Sequence, residues 1–96
     1  FHWECRLTAE TRSTWTHYAA AMAPLAQAFT GAIGHAHPRC WPHLSGNLRR
    51  SGLKPTEHFA DVAARADVYV VDNSSTLFEF AALDRPVVVL NAPWYR

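Results

Sequence analysis

The chain has 96 residues, a formal net charge of +1 and 49% hydrophobic residues, which supports one small packed domain spanning residues 1–96. The near-zero net charge argues against a general affinity for nucleic acid or membrane lipid. No stretch has the length of a membrane span or the pattern of a signal peptide. Cys5 and Cys40 form neither a zinc motif nor a disulfide framework, so a reducing cytoplasm is expected.

The first third of the chain predicts the end of a strand followed by a broken helix. Residues 1–5 alternate large apolar and polar side chains, as a strand does. A helix is expected from about residue 13, and Pro24 should kink it or begin a second segment. Gly31 is a suitable C-terminal stop. The apolar stripe of this helix is Trp15, Tyr18, Met22, Leu25 and Phe29.

The middle of the chain predicts two further strands, each followed by a helix. Residues 32–35 form a short strand candidate, which His37-Pro38 ends because the residue before proline avoids helical angles. Residues 41–51 predict a helix with Leu44 and Leu48 inward. Residues 53–57 are an edge-strand candidate because they contain Pro55. Residues 58–66 then predict a short helix with Phe59 in the core.

A strand, a polar turn and a helix are predicted around residues 66–80. Residues 68–71 are apolar at every position, which is typical of a strand covered on both faces. Ser74, Ser75 and Thr76 then place three hydroxyls where a helix must begin, and the unpaired N–H groups of a first turn attract anions. This stretch therefore predicts a phosphate cradle. Residues 87–90 predict the next buried strand.

The predicted elements alternate between strands and helices, which favours a doubly wound, Rossmann-like parallel α/β sheet. If its strand order is 3-2-1-4-5, the order reverses between the first and the fourth strand. Ligands of such sheets bind beyond the carboxyl ends of the strands at this reversal. The residues expected at the reversal are His2 and Trp3 on one side and Asn73, Ser74 and Ser75 on the other. His35 and His37 would end the second strand, next to them.

The stretch 72–90 has the sequence DNSSTLFEFAALDRPVVVL. It resembles the nucleotide-binding domain of the CDP-glycerol glycerophosphotransferase family, the C-terminal half of a GT-B transferase that builds teichoic-acid-type cell-wall polymers. The resemblance extends from about Trp15 to Trp94. UDP-N-acetylglucosamine 2-epimerases and other GT-B glycosyltransferases carry a related pattern at this turn, so a UDP-sugar enzyme is the alternative.

The resemblance implies roles for individual residues. Ser74 and Ser75, with Thr76 beside them, would bind the nucleotide diphosphate, Glu79 the ribose, and His37 the pyrophosphate. His35 stands where many relatives have arginine or lysine, so the charge at this point would depend on pH. No cofactor is implied.

The resemblance also implies that the chain is a fragment lacking the N-terminal GT-B domain. That domain would supply the general base and bind a polymer or lipid-linked acceptor, so the fragment alone would not catalyse. The donor would be CDP-glycerol or a UDP-sugar. The full protein would be cytoplasmic, with possible peripheral association with the inner face of the plasma membrane.

Simpler interpretations exist for the same residues. Thr76 and Glu79 fit a capping box that closes a helix start without any ligand. His37 could be a hydrogen-bonded turn residue, and His35 with His37 lacks the further ligands that zinc requires. A nucleobase near His58 and Phe59 is a lesser alternative. A non-catalytic α/β interaction domain is the remaining functional alternative.

Overall fold

The computed structural model describes residues 1, 13–72 and 74–93. Among them no helix is long and apolar enough to cross a membrane. The predicted strand over residues 1–5 lies outside this range except for Phe1. The elements in chain order are α1 (Trp15–Tyr18), a 3-10 turn (Ala19–Ala21), α2 (Met22–Ala28), β1 (Ile33–Gly34), α3 (Trp41–Arg50), β2 (Lys54–Pro55), α4 (Phe59–Arg65), β3 (Tyr69–Val71), α5 (Thr76–Ala81) and β4 (Val87–Val89).

The strands form two parallel pairs, which confirms a mixed α/β fold. In the first pair Ile33 of β1 lies opposite Lys54 of β2. In the second pair Tyr69 of β3 lies opposite Val87 of β4. Both pairings agree with the predicted strand order. The two pairs are separate two-stranded sheets in the described residues, so one doubly wound sheet stays a prediction.

Phe1 extends the hydrogen bonding of the β1 segment beyond the strand itself. Its backbone nitrogen donates to the His35 carbonyl at 2.7 Å, and its carbonyl accepts from the His37 N–H at 2.8 Å. Such a pair of bonds to residues two apart is the repeat of a parallel ladder. Phe1 therefore lies where the predicted first strand would join β1.

The predicted helix over residues 13–29 is divided as the proline indicates. Pro24 lies in the first turn of α2. In a continuous α-helix its ring would clash with the carbonyl of Ala20, and Ala20 lies in the 3-10 turn between α1 and α2. The placement of Phe29 in the core stripe is wrong, because its side chain is 64% exposed. The helix ends at Ala28, and the extended backbone of Phe29 (φ −125°, ψ 110°) takes it off the stripe.

Helix α3 agrees with its prediction and packs closely on β1. Pro42 lies in its first turn, where a missing N–H costs nothing, and Gly52 follows it with φ +91°. A Cβ on Gly34 of β1 would meet the Leu48 side chain at 3.0 Å, so glycine allows this close approach. The first core cluster consists of Met22, Leu48 and Leu53, with Trp15, Tyr18 and Leu25 packed against it.

The second core cluster lies under only one face of β3. It consists of Val62, Tyr69, Val71 and Phe80. The prediction that residues 68–71 are covered on both faces is wrong, because Val68 and Val70 are 49% and 43% exposed. The prediction that β4 is buried is wrong for the same reason. Val88, which lies opposite Val70, is 50% exposed. Side chains of a strand alternate between faces, and the described residues cover only the face that holds Tyr69 and Val71.

Arg85 joins α4 to the segment before β4. Its guanidinium donates to the carbonyls of Ala63 and Ala66 at the end of α4, and it lies 5.8 Å from the Phe80 ring centre. A cation at the C-terminus of a helix satisfies carbonyls that have no partner in the helix. This contact fixes α4 against the second core cluster.

A buried carboxylate connects the start of α1 with the end of β3. The Asp72 side chain is fully buried. Its Oδ2 accepts the Thr14 backbone N–H at 3.0 Å and the Thr14 hydroxyl at 3.2 Å. Thr14 is itself buried, and its carbonyl accepts the N–H groups of His17 and Tyr18 in α1. The pair therefore ties the N-terminal helices to the turn that follows β3.

We expect Asp72→Ala to destabilise the fold by about 2 kcal/mol, because two buried donors of Thr14 would lose their acceptor. Urea unfolding followed by circular dichroism measures this change. Asp67→Ala is the matched control, since Asp67 is an exposed aspartate just before β3, and its loss should change the free energy of unfolding by less than about 0.5 kcal/mol. Equal losses in the two variants would contradict the anchoring role of Asp72.

Candidate functional site

A cavity of about 340 Å³ lies at the carboxyl ends of β1 and β3. Five of the six residues predicted to bind the donor line it, and they come from two segments that are distant in sequence. The sixth, Glu79, lies outside the lining. The lining residues that the sequence predicted are His35, His37, Ser74, Ser75 and Thr76.

The hydroxyl residues form a compact turn between β3 and α5. The Ser74 N–H donates to the Asp72 carbonyl at 3.0 Å, which bends the chain after the strand. Helix α5 begins at Thr76, and Ser75 before it makes no side-chain capping bond. The Thr76 N–H instead donates to Ser74 Oγ at 3.4 Å. The Thr76–Glu79 capping box is therefore not the arrangement at this helix start.

The ring of His37 presents a donor without carrying a charge. Its Nδ1 accepts the Arg39 backbone N–H at 3.1 Å, so the proton of the neutral ring lies on Nε2. Partial burial, with the nearby Arg39 cation, lowers the pKa of His37. His37 is therefore a neutral N–H donor at neutral pH.

The ring of His35 has the opposite tautomer. Its Nδ1 lies 2.9 Å from the Thr56 carbonyl, and a carbonyl only accepts, so Nδ1 carries the proton. Burial lowers the pKa of His35. In the neutral ring Nε2 is an acceptor, and it becomes a donor only when the ring is protonated. Where many relatives have a permanently charged arginine or lysine, His35 becomes a cation only at acidic pH.

The match to a known family lies in the part of the chain that forms most of this cavity. The sequence model of the CDP-Glycerol:Poly(glycerophosphate) glycerophosphotransferase family matches residues 39–96. The chain belongs to this family. The match includes the serine turn and Glu79, whereas His35 and His37 precede it. Neither a comparison with curated proteins nor one with solved structures finds a match.

Membership of this transferase family does not by itself show what Glu79 does. Its side chain is exposed in the first turn of α5. Ribose binding by Glu79 stays a prediction, and a ligand that reaches it would have to extend beyond the cavity lining.

Seven further residues line the cavity, and of these the sequence suggested only His58 and Phe59, as a lesser alternative for the nucleobase. The seven are Phe1, Pro38, Glu57, His58, Phe59, Tyr69 and Val71. Phe59 was placed in the core; it is half-buried, packs against the second cluster, and its ring centre lies 5.7 Å from that of Tyr69. The sequence signal for Glu57, His58 and Phe59 was their position at or directly after the end of a predicted strand, at the same edge as the histidines. Tyr69 gave no such signal, because a strand residue of a parallel sheet is usually core.

No metal site emerges from these residues. In the described ranges no three histidine, cysteine, aspartate or glutamate side chains come close enough to hold a metal ion. His35 and His37 are each engaged through Nδ1 with the backbone. The site therefore offers hydroxyl and imidazole groups for hydrogen bonding rather than a ligand cage.

The lowered pKa of His35 predicts that the fold loses stability in acid. The unfolded chain takes up this proton near pH 6.5, whereas the folded chain takes it up only at lower pH. The stability that neutral His35 contributes is thus complete above about pH 6.5 and is lost as the pH falls towards the folded-state pKa. We expect the free energy of unfolding in urea to decrease from about pH 7.5 to about pH 5.5.

His35→Gln should reduce this decrease, because the variant removes one of the groups that take up protons on unfolding. His43→Gln, at an exposed position of α3, is the matched control and should retain the wild-type decrease. If His35→Gln retains it in full, His35 is not the group responsible.

Proposed function

We propose that this chain binds the nucleoside-diphosphate end of a CDP-glycerol-type donor, as part of a transferase that adds polyol phosphate to a cell-surface polymer. The observation that carries the proposal is the convergence of the His37 ring and the serine turn on one cavity, in a chain of this family. The two segments lie more than thirty positions apart in the sequence. Their meeting supports a shared ligand.

The chemistry of the reaction fits the groups that line the cavity. Transfer of glycerol phosphate from CDP-glycerol breaks the bond between the β-phosphorus and the bridging oxygen, and CMP leaves. An acceptor hydroxyl forms the new bond to phosphorus and loses its proton to a base. Negative charge grows on the bridging oxygen, and hydrogen-bond donors held beside it stabilise the transition state.

The donors for this charge are the His37 Nε2–H and the hydroxyls of Ser74 and Ser75. Helix α5 has six residues, so these side chains, rather than a long helix dipole, would carry most of the attraction. The general base and the polymer or lipid-linked acceptor would belong to a further domain. Peripheral membrane association would belong to that domain as well.

Calorimetric titration of the chain with CDP, CMP and UDP tests the proposal. We expect CDP to bind at least about tenfold more tightly than CMP, because the second phosphate adds charge-assisted hydrogen bonds of about 1.5–3 kcal/mol each. Ser74→Ala should weaken CDP binding about fivefold, whereas Ser45→Ala, on α3 and away from the cavity lining, should leave it unchanged. Equal affinities for CDP and CMP would refute diphosphate binding. Preference for UDP over CDP would favour the UDP-sugar alternative.

Glu79 is tested by comparing ribonucleotides with 2′-deoxyribonucleotides. If its carboxylate holds the ribose hydroxyls, Glu79→Gln should weaken CDP binding about fivefold and reduce discrimination against 2′-deoxy-CDP. Asp61→Asn is the matched control, because Asp61 is the acidic residue in the first turn of α4 and is exposed. Unchanged discrimination in Glu79→Gln would remove Glu79 from the site.

A further inference from the structure

Three hydroxyl groups form a continuous hydrogen-bonded chain from the second core cluster to the cavity. The Tyr69 phenol lies 2.8 Å from Thr76 Oγ1, and Thr76 Oγ1 lies 2.9 Å from Ser74 Oγ. All three residues line the cavity. Each hydroxyl has one proton, so the two bonds have three consistent arrangements: Tyr69 to Thr76 to Ser74, the reverse, or Tyr69 and Ser74 both donating to Thr76. The arrangement decides whether Ser74 donates to a ligand or accepts from it.

The packing of Tyr69 fixes the inner end of this chain. The residue is only 7% exposed, and its ring packs against those of Phe59 and Phe80, whose centres are 5.7 Å and 4.9 Å away. Within the part of the chain that the structure describes, Thr76 is the one hydrogen-bond partner of the phenol. Burial raises the pKa of Tyr69, so the phenol keeps its proton throughout the neutral range.

The phenolic proton has an acceptor only in the two arrangements in which Tyr69 donates to Thr76. If Ser74 donated to Thr76 and Thr76 to Tyr69, the phenolic proton would have no acceptor among the described residues, which is unfavourable for a buried group. If Tyr69 donates to Thr76 and Thr76 to Ser74, both of these protons are bonded. Ser74 Oγ then accepts from the Thr76 hydroxyl and N–H, and its own proton is left for the ligand. If Ser74 instead donates to Thr76, the Thr76 proton is the one left for the ligand, and the variants below distinguish the two arrangements.

We propose that Tyr69 is a positioning residue that acts through Thr76 to fix the Ser74 hydroxyl as a donor into the cavity. The inference rests on the proposed function, because it requires an acceptor-only ligand group such as an ionised phosphate oxygen. Successive bonds in such a chain polarise one another, so a phenol at the inner end strengthens the donor at the outer end. The cavity would thus favour ionised phosphate over groups that need an acceptor.

A double-mutant cycle on CDP affinity tests the proposal. Tyr69→Phe keeps the packed ring and removes the inner donor, and we expect it to weaken CDP binding about threefold to fivefold. In a Ser74→Ala background the same change should have no further effect, because the residue through which it acts is gone. Tyr18→Phe, which removes a phenol bonded to the Asn91 carbonyl outside the cavity, should leave CDP affinity unchanged.

Variants of Thr76 provide a second test, in which Tyr69 is unchanged. Thr76→Ser retains the connecting hydroxyl and should bind CDP as the wild type does, whereas Thr76→Val should bind as weakly as Tyr69→Phe. Circular dichroism verifies that the variants are folded.

The possible outcomes separate this inference from the proposed function. If the wild type binds CDP and Tyr69→Phe binds equally well, or if its effect multiplies with that of Ser74→Ala, the positioning role is overturned while diphosphate binding stands. If the wild type binds neither CDP nor UDP, the proposed function fails and the inference fails with it.

Discussion

The buried carboxylate of Asp72 is the interaction on which the arrangement of the turn after β3 depends. A fully buried carboxylate is unfavourable unless its oxygens are hydrogen-bonded. Asp72 Oδ2 accepts hydrogen bonds from the backbone N–H and the hydroxyl of Thr14, 58 positions away in the sequence. The Asp72 carbonyl also accepts the Ser74 N–H. One residue therefore holds the N-terminal helices with its side chain and sets the serine turn with its main chain.

The cavity is placed by apolar packing between β1 and the second core cluster. Ile33 of β1 belongs to the first strand pair, yet it packs against the cluster of Val62 and Phe80 under the second pair. The His35 ring also lies 6.2 Å from the Phe59 ring centre. These contacts bring the end of β1 beside the serine turn. The hydrogen-bonding side chains are thus placed by apolar packing, which fixes their positions before any ligand binds.

The sequence predicts local features well where one residue type determines the backbone. Pro42 and Gly52 bracket α3, and Pro24 divides the N-terminal helix, so these elements could be predicted. Phe29 was misplaced because the helix ends one residue before it. Val70 was misplaced because burial depends on which elements cover a face, and a pattern of apolar residues does not contain that information. Five of the six proposed binding residues lie at the cavity because they follow the carboxyl ends of β1 and β3, which is where ligands of α/β folds are expected. The tautomers of the histidines required the positions of Thr56 and the Arg39 N–H, which only the fold supplies.

The opposite tautomers of the two histidines make the cavity electrostatically uneven. His37 offers a hydrogen-bond donor at neutral pH. Neutral His35 offers only an acceptor, Nε2, and the lone pair of this nitrogen would repel a phosphate oxygen. A diphosphate that contacts His35 must therefore draw a proton onto its ring, and this gain competes with the burial that lowers the pKa. By linkage, the affinity for such a ligand and the protonation of His35 depend on each other. A fixed arginine or lysine at this position would remove that dependence, so histidine here would couple the proposed donor binding to pH.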